Sequence, residues 1–328
     1  MPAEHNVPKV DCSAGASLPV DHDERVTQQS AVVRVGLAWA LLGVVMFSFS
    51  VPLTKVAVGG FSPFFTATGR AVIAGAIAGL LLLLCRVPWP QRSSLRPLVF
   101  TMLGAVFGWP ILMALALERT TAAHAAVIAA FMPLTTALFA VLRSKEHVSR
   151  QFWWAASAGT LALVAFALSK GGAEGGDLVA DLLIVGAVLS SSWCYVEGAA
   201  ITKVMPGWQV ISWVVVLALP VTVPASLLLW WLTAGSYDTS AVEWWSLALL
   251  GLSSMYLGFF AWYRGLSLAG AAHGGQVQQL QALLTLMWSA LLLGERVSAG
   301  TVLAAVAVIG CVVWAQRSRG TVTIAPEE

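Results

Sequence analysis

From residue 36 to residue 316 the chain is one apolar run after another, each about 20 residues long and cut by a charge, a proline or a glycine. Twenty residues of helix rise about 30 Å, the thickness of a bilayer's hydrocarbon core. The runs fall near 36–57, 62–84, 97–117, 122–142, 152–169, 181–201, 209–232, 244–267, 271–293 and 299–316. Lipid offers no partner to a backbone amide, so such runs must satisfy their own hydrogen bonds as helices. The expected fold is an all-α integral membrane protein with ten transmembrane helices. Only 10% of the 328 residues are charged, against about 25% in soluble domains. Mean hydropathy is +0.81.

Residues 1–34 are polar and mixed in charge, the composition of a disordered tail. They lack the basic-then-apolar order of a secretory signal, so the first run is expected to stay as a helix. Cys12, Cys85, Cys194 and Cys311 show neither pairing nor metal spacing, and read as packing residues. A net charge of +2 implies no nucleic-acid partner. No Gly-rich phosphate loop, zinc spacing or nucleophile elbow occurs, so the reading includes no metal, no cofactor and no nucleotide. The expected partners are a small-molecule substrate and membrane lipid.

Charge sets the orientation. Lys55, Arg70, Arg119, Lys170 and Arg296 apart, the other thirteen of eighteen Lys and Arg residues fall on the side of the N-terminus. Loops 85–96 and 142–151 carry most of that bias, while the loops KGGAEGGDLVAD and AGSYDTSAVE are acidic. The positive-inside rule then places both termini in the cytoplasm of a multi-pass protein of the cytoplasmic membrane.

The chain repeats itself. Shifted by 149 residues, positions 122–164 match without a gap, with thirteen identities in 43. His124 falls on His273, and Glu146-x-Val148-Ser149 on Glu295-x-Val297-Ser298. LTK at 53–55 falls more loosely on ITK at 201–203. Each half has five runs, and five is odd, so the second half is expected to enter the membrane upside down. Inverted repeats of this kind recur in secondary transporters, with the substrate site near the midplane. The expected organisation is a disordered cytoplasmic tail (1–34), a first five-helix repeat (35–170), a second (181–316) and a cytoplasmic C-terminal tail (317–328).

These residues resemble the EamA-type transporters of the drug/metabolite transporter superfamily. The features that carry the likeness are the two five-run halves and the Glu-x-Val-Ser turn in each (KEHVS, GERVS). FTATGRAVIAG in the second run, FMPLTTALF in the fourth and the turns TTAAH and AGAAH add to it. The sequence departs from the pattern at Ser144-Lys145-Glu146, where the family has Gly before Glu. It departs again at Ala282, which replaces the proline matching Pro133. The resemblance implies two pseudo-symmetric bundles around a central cavity, and transport of small metabolites, often export of amino acids or toxic compounds.

Few residues bear chemistry at membrane depth. Arg70, a third of the way into the second run, reads as an anchor for a carboxylate or phosphate, or as the structural partner of Glu197 or a carbonyl. A charge at mid-helix costs roughly 2.5–3.5 kcal/mol on insertion scales, and such residues mark sites by default. Glu197 reads as a proton or ammonium site, or as a plain partner of Lys203. His124 and His273 sit at matching helix starts, where a bond to nearby backbone competes with proton relay. Glu146 and Glu295 precede the last helix of each half and read as stabilisers of a positive helix end. Pro110 bends its run, which makes Trp109 a candidate cavity wall, with Trp39 and Tyr256 beside it. Trp153, Trp154, Trp230, Trp231, Trp244 and Trp245 lie near run ends and read as interfacial anchors.

The ninth run holds GGQVQQLQALL, four glutamines where the first half has Val127, Ala129, Ala130 and Met132. At about 100° per residue, His273, Gln276 and Gln279 form one stripe. Gln278, Gln281 and Thr285 form another on nearly the opposite face. One stripe is expected to line a pathway and the other to bond a neighbouring helix; the His273 stripe is the favoured lining. The whole reads as a secondary transporter, an exporter of amino acids or drug-like compounds, and not an enzyme. The rival readings are a membrane-embedded enzyme and a structural or sensory subunit.

Overall fold

The computed structural model describes residues 22–144, 150–170, 177–233, 235–269 and 277–317. Every regular element among them is helical. Helices α1 (His22–Ser48) and α2 (Ser50–Gly60) form the first run, interrupted only at Phe49. Ser62 then starts α3 (Pro63–Leu84): its hydroxyl accepts the Phe65 amide, and Pro63 occupies a first-turn position that needs no donor. The third run is α4 (Arg92–Met102), a π turn (Leu103–Gly108) and α5 (Trp109–Leu117). The fourth is α6 (Ala122–Ala129) and α7 (Met132–Ser144), and the fifth is α8 (Arg150–Lys170).

The second half follows the same plan. It comprises α9 (Leu178–Ile201), α10 (Gly207–Leu232) and α11 (Ala241–Leu249). A second π turn (Leu250–Leu257) leads into α12 (Gly258–Ala269), followed by α13 (Leu280–Leu293) and α14 (Ala299–Arg317). Shifted by the repeat's 149 residues, the first π turn falls inside the second. Pro110 stands just after the first, where the widened turn takes up the bond that a proline cannot make. The second has no proline. Both breaks therefore belong to the fold rather than to one residue.

Among the described residues, seven helical stretches are long and apolar enough to cross a membrane: Ala31–Gly60, Pro63–Leu84, Arg92–Leu117, Ala122–Arg143, Leu178–Ile201, Gly207–Leu232 and Ala241–Ala269. The ninth and tenth runs are shorter apolar helices, Leu280–Leu293 and Ala299–Trp314. The third begins at Arg92, earlier than 97, because Pro97 in the second turn forfeits only one backbone bond.

Packing is paired. The first run lies on the eighth (α1 on α12) and the sixth on the third (α9 on α4 and α5). The second lies on the seventh (α3 on α10), the fourth on the ninth (α6 on α13) and the fifth on the tenth (α8 on α14). Exchanging each run for its repeat mate turns one–eight into six–three and leaves the other pairs as they are. Small residues let the paired helices close. In the α1–α12 seam a Cβ on Gly265 would come 2.7 Å from the Ala40 Cα, and one on Gly36 would come 2.6 Å from the Ala269 nitrogen.

The outer face is apolar. Leucines of α3, α9 and α10 stand exposed there, as do Trp153, Trp154, Trp230, Trp231, Trp244 and Trp245. A face that water would penalise is what lipid requires.

Candidate substrate site

Where the paired helices meet, the bundle holds a partly open pocket of about 370 Å³, the space at its mouth included. Arg70 reaches it from α3 and is 3% exposed. Its Nη2 donates to the Ser254 hydroxyl at 2.5 Å, and its Nε has no partner among the described residues. No carboxylate pairs with it there. Ser254 sits in the second π turn, which aims its hydroxyl inward, and it donates back to the Leu250 carbonyl at 3.3 Å.

Gln281 lines the same pocket, and its buried amide oxygen likewise has no partner among the described residues. Phe47, Trp109, Tyr195 and Phe259 make the wall. Phe47 meets Phe259 edge-on with ring centres 5.0 Å apart, and Tyr195 meets Phe259 at 5.9 Å. Phe47 and Tyr195 are repeat mates at a shift of 148, and Ala105 and Ser254 at 149. Arg70 breaks this balance, since no second arginine lines the pocket. The pocket thus offers a buried cation, an amide acceptor and an aromatic box: the complement of a small molecule with a carboxylate, an N–H donor and an apolar body.

Of the alternatives for Arg70, pairing with Glu197 does not form. Glu197 takes Arg143 instead, in a two-pronged bond of 2.9 Å from Nε and 3.0 Å from Nη2. That pair ties α7 to α9. So does the Thr135–Ser192 hydroxyl contact at 2.5 Å. His124, on α6, meets Asp181 of α9 through Nε2 at 2.7 Å, with both side chains buried. Its own amide donates to Thr121. Arg119 and Asp177 add an exposed pair at 2.9 Å. Arg119 and the Val179 amide hold the Asp177 carboxyl below the usual carboxylate range.

Glu295 is a helix-end stabiliser of a different helix from the expected one. Its two oxygens accept the amides of Ala122 (2.9 Å) and Ala123 (2.8 Å), the positive end of α6 across the repeat. The helix that follows Glu295 is capped locally by Ser298, which accepts the Thr301 amide. Glu146 lies outside the described residues, as do His273 and Gln276. Lys55 closes the other side of that corner by donating to the Leu117 and Thr120 carbonyls at 2.6 and 2.9 Å.

Two expected walls stand elsewhere. Trp39 is 37% exposed on the outside of α1, and lines neither pocket. Tyr256 is buried against α10, where its hydroxyl meets that of Ser212 at 2.8 Å. In the ninth run the backbone keeps helical angles at Gln279 (φ −62°, ψ −27°), yet described glutamines assigned to opposite stripes line the same pocket. Gln278, Gln279 and Gln281 all line one second pocket beside Pro133, and of the three Gln281 alone also lines the Arg70 pocket. Ser254 and Tyr195 are pocket residues that the sequence reading passed over, and Gln281 is one that it placed on the stripe not favoured as lining. Their signal lay in the repeat: each is a polar residue where its mate is Ala105, Phe47 or Met132.

Comparison with known proteins gives the lineage. A profile of the EamA-like transporter family matches residues 34–168 and again 178–315. An uncharacterized transporter, YdeK of Bacillus subtilis (strain 168), is 40% identical over 277 residues, 84% of this chain and 95% of its own length. A crystal structure with 18% identity superposes with a TM-score of 0.60, covering 87% of this chain and 98% of its own, a likeness of fold. The chain belongs to the EamA-like transporter family of membrane transporters.

Proposed function

We propose that the chain is a secondary carrier that exports a small metabolite bearing a carboxylate, an amino acid or a drug-like acid, from the cytoplasm through the Arg70 pocket. One observation carries this reading. Among the described residues, a buried guanidinium without a carboxylate partner and a buried amide oxygen without a donor line one pocket together with aromatic rings. A lone buried cation is costly unless something anionic joins it. A bound carboxylate supplies that partner, an N–H of the same molecule fills Gln281, and its apolar body lies on Phe47, Trp109 and Phe259. The groups on offer are a guanidinium, an amide and hydroxyls, which hold a ligand rather than attack it.

In this reading ten spans form two inverted five-helix halves, with both termini in the cytoplasm of the cytoplasmic membrane. The closed set of pairings supports the two-fold relation. Ser236→Cys, in the loop after α10, should then label with an impermeant reagent on intact cells, and Gln91→Cys should not. The reverse labelling would overturn the orientation.

The substrate test has two stages. Metabolite profiles of an overexpressing strain and a deletion strain identify what accumulates outside. Uptake of that compound into proteoliposomes is then compared for the parent and Arg70→Gln. The variant should lose at least tenfold in transport with its monodispersity intact. Parental transport by Arg70→Gln would remove the anchor, and transport of a compound with no acidic group would remove the substrate class.

A further inference from the structure

A second pocket, about 350 Å³ with the space at its open mouth included, lies beside the first, and none of its described lining residues is charged. Alanines of α6 and the amides of Gln278 and Gln279 make up much of its wall. Two residues line both pockets, Met132 and Gln281. They stand 149 residues apart, so they occupy the same place in the two repeats. Each follows the point where its run is interrupted, at Ala130 and Phe131 in the first half and at Gln279 in the second. At the first break the Met132 carbonyl accepts Thr135 Oγ1 at 2.9 Å and Ser192 Oγ at 3.3 Å, which fixes the backbone there. The side chains are less constrained. Gln278 Nε2 reaches Met132 Sδ at 3.5 Å, a weak contact, and the Gln281 oxygen has no partner among the described residues.

We propose that the second pocket is a second ligand compartment in series with the Arg70 pocket, and that Met132 and Gln281 are the partition between the two. The proposal rests on the Arg70 pocket being the transport site. A carboxylate held by a guanidinium in the first compartment meets only neutral amides in the second, so the second holds an anionic ligand less firmly. A strong site followed by a weak one lets a ligand enter and still leave. The partition residues suit that passage. Methionine is unbranched and has three rotatable bonds. The Gln281 amide, shared by both pockets, stays within reach of a ligand N–H on either side.

The test reads the partition with a water-soluble methanethiosulfonate in place of a substrate. Reporter cysteines are placed one at a time in the first compartment (Ser191→Cys) and the second (Gln279→Cys), in sided membrane vesicles, with the native cysteines as background. Met132→Trp should slow labelling of the reporter beyond the partition at least tenfold, and change the near reporter less than twofold. Adding reagent from the other side should exchange the two results. Gln281→Trp, the repeat mate, should do the same, and Met132→Ala should speed the far reporter. Both reporters slowing together, neither changing, or no reaction at Gln279→Cys from either side would each overturn the proposal. If neither Trp variant folds, an unchanged far reporter in Met132→Ala overturns it alone. Failure of the transport reading shows differently: parental uptake by Arg70→Gln with the labelling pattern intact.

Discussion

Removing the two partners of the Arg143–Glu197 pair one at a time should have unequal effects. The carboxylate side chain is 9% exposed and the guanidinium 40%. Arg143→Gln leaves a carboxylate with no counter-charge in a place that water scarcely reaches. Breaking a buried pair in this way costs about 3–5 kcal/mol; the open side of this one lowers the expectation to about 2–3 kcal/mol. Glu197→Gln instead leaves an arginine at the end of a helix, long enough to turn its head to the interface, beside an amide that still bonds. Its expected cost is about 0–1 kcal/mol, the range of an exposed pair. The double variant leaves no bare buried charge and should return to within about 1 kcal/mol of the parent. Chemical unfolding of the purified protein in detergent gives all three values, and the double-mutant cycle isolates the coupling. Equal losses for the two single variants would refute the reasoning, because they would mean that Glu197 is as well solvated as Arg143.

Gly265→Leu should open the α1–α12 seam, where even one added carbon meets Ala40; overpacking costs about 1–3 kcal/mol, read as a lower unfolding midpoint. Glu295→Gln should weaken the hold on the Ala122 and Ala123 amides by about 1 kcal/mol, measured the same way, with faster hydrogen exchange confined to the start of α6. The Arg119–Asp177 pair predicts an acid dependence. Its folded carboxyl lies below the ordinary value of about 3.9, so its contribution is complete above that value and is lost as pH falls through the folded one. Arg119→Gln should flatten thermal stability between about pH 5 and 2, and an unchanged slope would discard the pair.

Much of this architecture is legible in the chain. Length and hydropathy alone give the helical runs, and the 149-residue shift gives the two halves. Arg70, Trp109 and Pro133 could be picked out because a charge, a large ring and a missing donor are each conspicuous in lipid. Contacts between runs are another matter. Nothing local to Glu197 says that its partner stands 54 residues away on α7 rather than on its own helix. The glutamine stripes are read from one helix alone, whereas the pocket that Gln278, Gln279 and Gln281 share is shaped by the neighbouring α6 alanines as well. The second π turn has no proline to announce it, and without that turn the inward aim of Ser254 is invisible.

Arg70 also bears on how the protein is made. Its hydroxyl partner, Ser254, lies 184 residues further along the chain. At about 5–20 residues per second of synthesis, α3 waits roughly 10–40 s for that partner to leave the ribosome. Through that interval the helix must enter the bilayer with an unmatched cation, against a penalty of roughly 2.5–3.5 kcal/mol. The same helix ends in five consecutive leucines, Leu80 to Leu84. On the insertion scale a leucine at mid-helix contributes about −0.3 to −0.6 kcal/mol, so the five together offset at most about 1.5–3 kcal/mol. Leu80, Leu83 and Leu84 stand exposed on the finished bundle, touching little of the protein. Their work falls early, in carrying Arg70 across before there is a pocket to receive it.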